Sequence, residues 1–261
     1  MNNSDFNRQK ECRHGTMLFN GNDIYVGRAL DLYGEYSEGE VDLFQQIVRE
    51  GDVVVELGAN LGAHTVYFAK RVGPRGAVIA FEPQRLVFQT LCANMALNQI
   101  TNTVCYWAAA SDSSGIITVP VVDPRREFNF GGLSLGDHAR GDHVPVMRAD
   151  AIQLPRCRLI KVDVEGMELA AIRGASGIIE RHHPILYVEN DRPQNSDALI
   201  RHIHSLGYKL YWHRPFLYNP NNYFKNQHNE YPNIVSQNMI GIHSSQSTDI
   251  QGFPPVEVSP V

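Results

Sequence analysis

The sequence predicts an α/β fold: a mostly parallel, Rossmann-like sheet with helices on both faces and an antiparallel pair closing one edge. Three observations predict it. Apolar runs of strand length alternate about five times with runs of helix length between Gly51 and Leu206. Four of these strands end in an acid, at Glu56, Glu82, Asp163 and Glu189. The last two strand-like runs, Tyr208–His213 and Asn238–His243, have no helical stretch between them, which implies an antiparallel addition at one edge.

Bulk composition is compatible with one large domain. The chain has 261 residues, 43% of them hydrophobic and 20% charged. A net charge of −5 removes the counterion-release drive toward nucleic acid, so no nucleic-acid partner is expected. Cys12, Cys92, Cys105 and Cys157 are scattered without a CxxC pair, which points to reduced thiols rather than a disulfide framework or a zinc site. Residues Met1 to His14 are polar and lack the apolar core of a signal peptide. No run reaches the roughly 20 apolar residues of a membrane span. A soluble, cytoplasmic protein is expected, and nothing in the pattern specifies an oligomer.

In chain order, residues 1–14 read as a flexible N-terminus and 15–50 as a small hairpin and a helix. The hairpin is expected around Asn20-Gly21-Asn22-Asp23. Ser37 and Glu40 have capping-box spacing ahead of Val41, Phe44, Ile47 and Val48, and the helix ends before Gly51. The main domain spans 51–243. Val53 to Glu56 is its first strand, and Thr65 to Arg71 its first helix, stopped by Gly73-Pro74. Ala77–Phe81 is the second strand, and Pro83 opens a helix with apolar Leu86, Phe88, Leu91, Met95 and Leu97. Thr103–Ala110 is the third. Ile116–Val122 and Val144–Arg148 are strand-like and flank a polar, glycine-rich segment, so an inserted hairpin with a long loop is expected at about 115–149. Alternation resumes with Leu159–Val162, a helix to about Ser176, the strand Ile185–Val188 and a helix from Ser196 to Leu206 capped near Gly207. Residues 244–261 read as a disordered tail.

Ligands of open parallel sheets bind beyond the carboxyl ends of the strands. Glu82 lies about twenty residues past the glycine loop, where an acid can hydrogen-bond the hydroxyls of an adenosine ribose. Glu56 argues against a dinucleotide, because a carboxylate at the strand end repels a pyrophosphate. The loop agrees: Asn60 stands where G-x-G-x-x-G needs its second glycine, and no Gly-Lys-Ser/Thr follows to make a P-loop. A sulfonium cofactor with an α-amino group tolerates such an acid, so S-adenosylmethionine fits better than NAD, FAD or ATP.

Glu56-Leu57-Gly58-Ala59-Asn60-Leu61-Gly62 with Thr65, Phe81-Glu82-Pro83, and Ile160-Lys161-Val162-Asp163-Val164-Glu165-Gly166 with Glu168 together resemble the FkbM family of S-adenosylmethionine-dependent methyltransferases. The resemblance runs from about Tyr33 to Ile242. Family members more often carry Asp where this chain has Glu56. The resemblance implies the class I methyltransferase fold with a seven-stranded sheet, and O-methylation of a hydroxyl on a sugar, glycan or secondary-metabolite acceptor. It implies that Glu56, Gly58, Ala59, Asn60, Gly62 and Thr65 line the methionine end, that Glu82 holds the ribose, and that Ala109-Ala110-Ser111-Asp112 borders the adenine. Asp163 would lie beside the transferable methyl.

An alcohol acceptor needs a base or a metal ion nearby. Asp163 is the leading base, with Glu165 and Glu189 next. Alternatively Asp163 and Glu189, with Asn190 or Asp191, hold Mg²⁺, which takes oxygen ligands; the base is favoured over the metal. Glu168 fits a helix-capping role better. In the insertion, Arg125, Arg126, Asn129, Phe130, Gly131, Gly132, Ser134 and His138 suit a lid over a hydroxylated acceptor. A catalytically inactive protein of the same fold is the competing reading, and an NAD-dependent oxidoreductase is disfavoured by Glu56 and Asn60.

Overall fold

The computed structural model describes residues 5–135, 138–246 and 251–257. Its elements are β1 (Asn7–Cys12), β2 (Gly15–Asn20), α1 (Val26–Tyr33), α2 (Glu38–Ile47), β3 (Val53–Leu57), α3 (Ala63–Val72), β4 (Ala77–Phe81), α4 (Arg85–Leu97), β5 (Thr103–Tyr106), β6 (Ala109–Ala110), β7 (Gly115–Val119), β8 (Asp142–Met147), β9 (Leu159–Val162), α5 (Glu168–Gly174), α6 (Ser176–His182), β10 (Ile185–Glu189), α7 (Pro193–Ser205), β11 (Tyr208–His213) and β12 (Asn238–His243).

The central sheet has seven strands in the order β11-β12-β10-β9-β3-β4-β5. β12 is antiparallel to both of its neighbours, and the remaining pairs are parallel. The sequence anticipated the mostly parallel sheet with its antiparallel edge. Only β12 is reversed, because β11 is itself reached by a helical crossover through α7. β3 lies inside the sheet between β9 and β4 with all five residues buried, which is why it reads as a continuous apolar run rather than an alternating one.

Period-two alternation along β3 distributes the core. Val55 and Leu57 face α5, α6 and α7 through Ile172, Ile178 and Ile203, whereas Val54 faces α2 and α3 through Phe44 and Phe68. A third cluster joins α4 to the N-terminal hairpin through Met17, Phe19, Leu91 and Met95. Asn94, fully buried on α4, anchors that hairpin: its side chain accepts the Leu18 N–H at 2.7 Å and donates to the Leu18 carbonyl at 3.0 Å.

Several local expectations are corrected. The segment read as loose to His14 contains β1, paired with β2 from Asn7↔Asn20 to Cys12↔Gly15. The hairpin turn is therefore at Arg13-His14, and Asn20–Asp23 leads instead into α1, a helix the sequence reading missed. Ser37 does not cap α2 in the expected way. It takes a left-handed backbone, φ 46°, and its hydroxyl donates to Glu40 at 2.9 Å. The third strand is broken after Tyr106, and Ala109–Ala110 joins β8 and β7 in a separate three-stranded sheet. The tail expected to be disordered is ordered over 251–257. Its backbone pairs with β11 through Trp212 N–H to Pro254 at 2.8 Å and Val256 N–H to Leu210 at 2.9 Å. Residues 1–4 and 258–261 lie outside the described residues. Among the described residues, no helix is long and apolar enough to cross a membrane.

Candidate active site

The four strand-end acids meet at the carboxyl edge of the sheet because β3, β4, β9 and β10 run parallel. Between β3 and α3 the chain turns in the space of Gly58 to Gly62. Gly58 has φ 88°, and a Cβ there would lie 1.7 Å from the Asp163 carbonyl oxygen, so β3 and β9 can close at this point only over a glycine. Asn60 also takes a left-handed backbone, φ 51°, a region Asn tolerates better than most residues, and its side chain accepts the Leu61 N–H at 2.6 Å.

Glu82 ties this loop to the start of α4. One carboxylate oxygen accepts the Asn60 N–H at 2.9 Å and the other the Gln84 N–H at 2.8 Å. Burial pushes its carboxyl up to about 8, against the lowering effect of those two N–H donors. Glu56 is buried at 1% exposure and accepts the Thr65 hydroxyl at 2.6 Å. Burial pushes it up to about 7, opposed chiefly by the Lys161 charge.

Lys161 was given no role by sequence reasoning, although a lysine inside the apolar run Leu159–Val162 was the available signal. It is 4% exposed, is the register partner of Glu56 across β3 and β9, and donates to Asp163 Oδ2 at 2.9 Å. Burial alone would lower its pKa; the charges of Asp163, Glu56 and Glu40 outweigh burial and raise it. Glu40, on α2, is held by Ser37 and by the Asn238 amide at 3.2 Å. One ammonium thus serves three carboxylates from three separate elements.

Asp163, Glu165 and Glu189 converge, each offering an oxygen within 4.8 Å of the others. Glu165, in a left-handed turn at φ 54°, pairs with Arg192, and burial pushes its carboxyl up to about 7. Glu189 is raised well above the usual range by burial, reinforced by the charges of Asp163 and Glu165. Glu168 accepts the Gly166 N–H at 2.7 Å and closes the turn into α5.

Two adjoining clefts share this centre. A narrow one is bounded by Gly58, Glu82, Gln84, Ala108, Ala109 and Ala110 and covered by Gly131, Leu133 and Leu135 of the insertion; as it stands about 30 Å³ is open. A wide one of about 440 Å³ is lined by Tyr25, Tyr36, Asn60, Asn129, Gly131, Gly132, Glu189, Asp191, Arg192 and Gln237. Asp163 and Glu165 line both. A separate apolar cavity of about 170 Å³ lies between the N-terminal hairpin and α4 and borders the site at Asn60.

Of the expected lid residues, Asn129, Gly131 and Gly132 reach the wide cleft. Ser134 touches the Glu165 carbonyl at 3.5 Å, and His138 folds back to within 2.9 Å of the Ser134 carbonyl, outside both linings. Ser111 and Asp112 lie beyond the alanines that border the narrow cleft: the Ser111 carbonyl packs so closely on α5 that a Cβ at Gly174 would meet it at 1.9 Å. Leu133 and Leu135, and the wall formed by Tyr25, Tyr36 and Gln237, were not singled out from sequence. Apolar and aromatic residues in loops carry no periodic signal.

Comparison with known proteins agrees with this geometry. The chain is 25% identical over 158 residues to a hexuronic acid methyltransferase of Haloferax volcanii, covering 59% of this chain and 62% of that protein. It is 28% identical over 143 residues to methyltransferase 1 of Beauveria bassiana, covering 46% of this chain and 57% of that one. It therefore spans about three fifths of the length of these relatives. Among solved structures it resembles methyltransferase FkbM from Methylobacillus flagellatus, with a TM-score of 0.51 and 17% identity, covering 77% of this chain and 50% of the other. The sheet order with its single reversed strand is the class I methyltransferase arrangement that this likeness shows. The methyltransferase FkbM domain model matches residues 56–210, the span from the first strand-end acid to the edge strand, and the chain belongs to the FkbM methyltransferase family.

Proposed function

We propose that the protein is an S-adenosylmethionine-dependent methyltransferase that methylates a hydroxyl of a sugar, glycan or secondary-metabolite acceptor. The observation that carries this reading is the junction of two clefts at Asp163 and Glu165: a narrow one that would admit a nucleoside once Leu133 and Leu135 move, and a wide polar one suited to a hydroxylated acceptor. Family membership supports the reaction class, and the hexuronic acid methyltransferase among the relatives supports a sugar acceptor.

The donor set fits the cofactor. Glu82 offers a buried carboxylate beside Ala108, Ala109 and Ala110, whose small side chains leave room for a flat ring once Leu133 and Leu135 swing aside. Ribose hydroxyls would bond Glu82. Glu56, Gly58, Ala59, Asn60, Gly62 and Thr65 would surround the methionine end, with Glu56 and Asp163 supplying negative charge. When bound, S-adenosylmethionine supplies an electrophilic methyl group.

This chain's own residues orient the acceptor and take its proton. Asp163 is the best base on position: its side chain is 39% exposed at the junction and is held by Lys161. Glu189 is a weaker candidate because its environment favours the protonated form, which cannot accept a further proton. Glu165 is engaged by Arg192. Tyr36 and Gln237 line the wide cleft and would contact the acceptor.

Calorimetry with S-adenosylhomocysteine tests the reading. Stoichiometric binding is expected, and absence of heat from folded protein sinks it. Binding without methyl transfer to any of a panel of sugars and glycosides would instead favour an inactive member of the fold.

A further inference from the structure

We propose that Asp163, Glu165 and Glu189 together bind one divalent, oxygen-preferring cation of the Mg²⁺ class at the floor of the wide cleft. The inference deepens the methyltransferase reading and rests on it for its role in the reaction; with the cation bound, Asp163 serves as its ligand, and the base role of Asp163 applies to the cation-free site.

Two observations carry it. The first is geometric. The three carboxylates come from the ends of two neighbouring parallel strands, and their oxygens lie within 4.8 Å of one another. A hard cation with ligands at about 2.1–2.5 Å gathers oxygens over that span. Asp163 and Glu165 each use one oxygen on Lys161 and Arg192, which leaves a second oxygen on each outside those bonds. The second observation is independent of that spacing. Glu189 Oε2 is buried and has no hydrogen-bond partner among the described residues. Buried polar atoms are ordinarily paired, so this oxygen requires a proton or a cation. The largest charge effects on it come from the acids Asp163, Glu165, Asp191 and Glu168.

The surroundings choose the ligand set. Asn190, which the sequence offered as a ligand beside Asp163 and Glu189, is turned away: its amide donates to Ser196 at 2.8 Å and to the Met239 sulfur at 3.3 Å. Glu165 takes its place, brought inward by the left-handed turn before Gly166. With no His or Cys in the cluster, a hard cation is preferred over zinc or copper. Three carboxylates leave coordination positions free, and an acceptor carrying two adjacent hydroxyls would fill them better than a lone alcohol.

The test uses the full chain stripped of metal by a chelator. Mn²⁺ is titrated in and the free ion followed by its paramagnetic resonance lines, with and without competing MgCl₂. S-adenosylhomocysteine binding is measured on the same preparation. One Mn²⁺ per chain, displaced by Mg²⁺, is expected. Affinity should fall at least about tenfold in Glu189→Gln and in Glu165→Gln. Glu189→Gln mimics the protonated carboxyl and should keep its affinity for S-adenosylhomocysteine, which shows that it is folded. Wild-type protein that binds S-adenosylhomocysteine but takes up no Mn²⁺ overturns the cation site alone. Equal Mn²⁺ affinity in both variants overturns it too. Mn²⁺ uptake by protein that does not bind S-adenosylhomocysteine keeps the site and removes the methyltransferase reading.

Discussion

Lys161 Nζ lies 2.9 Å from Asp163 Oδ2, and the same buried lysine is the cross-strand partner of Glu56. Two residues apart on one strand, Lys161 and Asp163 point to the same side, which lets a single ammonium compensate acids on β3, β9 and α2. Lys161→Met should therefore leave Glu56 and Glu40 buried without a counter-charge. Removing one partner of a buried ion pair costs about 3–5 kcal/mol, and the low end applies because Asp163 is partly exposed. Urea unfolding measures the loss; a change under about 1 kcal/mol would show that the acids are neutral in the native state.

Asp163→Asn keeps the shape of the side chain and removes its basicity. Turnover should fall about 10²–10⁴-fold, the usual contribution of a positioned base, while affinity for S-adenosylhomocysteine stays within about threefold. Parallel losses in both would make cofactor binding, rather than proton transfer, the main role of Asp163.

For Glu82→Ala the expectation is reversed. Hydrogen bonds to a charged group contribute about 1.5–3 kcal/mol, so above pH 8, where Glu82 is ionised, S-adenosylhomocysteine should bind about 10–100-fold more weakly by calorimetry. Glu82→Ala also frees the Asn60 and Gln84 N–H groups, whereas Glu82→Gln keeps one acceptor oxygen and frees only one of them, so the pair separates loop integrity from ribose binding. Unchanged affinity in both variants would show the ribose assignment to be misplaced.

Stability should fall as pH rises from about 6.5 to 8. Burial raises the carboxyls of Glu56 and Glu165 to about 7 and that of Glu82 to about 8, so the native state holds protons that the unfolded chain has released. That contribution is complete below the ordinary carboxyl range and is lost as pH passes through the raised values. Buried histidines act in the opposite sense: burial lowers His213 to about 4 and lowers His64 as well, so they favour folding as pH rises, chiefly below 6.5. Above 6.5 the histidine contribution fades while that of the acids continues. Scanning calorimetry at pH 6.5 and 8 should show a lower Tm at pH 8, and Glu82→Gln should shrink the difference.

Leu133 and Leu135 cover the narrow cleft, and replacing both with Ala should speed S-adenosylhomocysteine release. Stopped-flow displacement measures this. An unchanged dissociation rate would show that the insertion does not gate the cofactor.

The sheet was legible in the sequence because its signals are local. A run such as Val53–Val55 followed by Glu56 and a glycine turn specifies strand, strand end and loop within a few residues, and repetition of that unit specifies a parallel sheet. The N-terminal hairpin and α1 were misread for the same reason. Asn20-Gly21 is a good turn signal in isolation, yet the hairpin closes at Arg13-His14, where pairing with Asn94 and packing against Met95 decide the register. The ordering of residues 251–257 likewise depends on β11 being a free edge.

By itself, then, the sequence determined the alternating strands and helices of the central sheet, the acids at the strand ends, and the family to which they belong, because side-chain periodicity and turn chemistry act over short chain distances. Only the tertiary structure decided what those acids do to one another. Lys161 became the shared counter-charge, Asn190 turned away while Glu165 turned in, and Ala108–Ala110 rather than Ser111 bordered the narrow cleft. Each of these follows from burial and from distances between elements far apart in the chain, where Coulombic and packing energies are set and which no local pattern records.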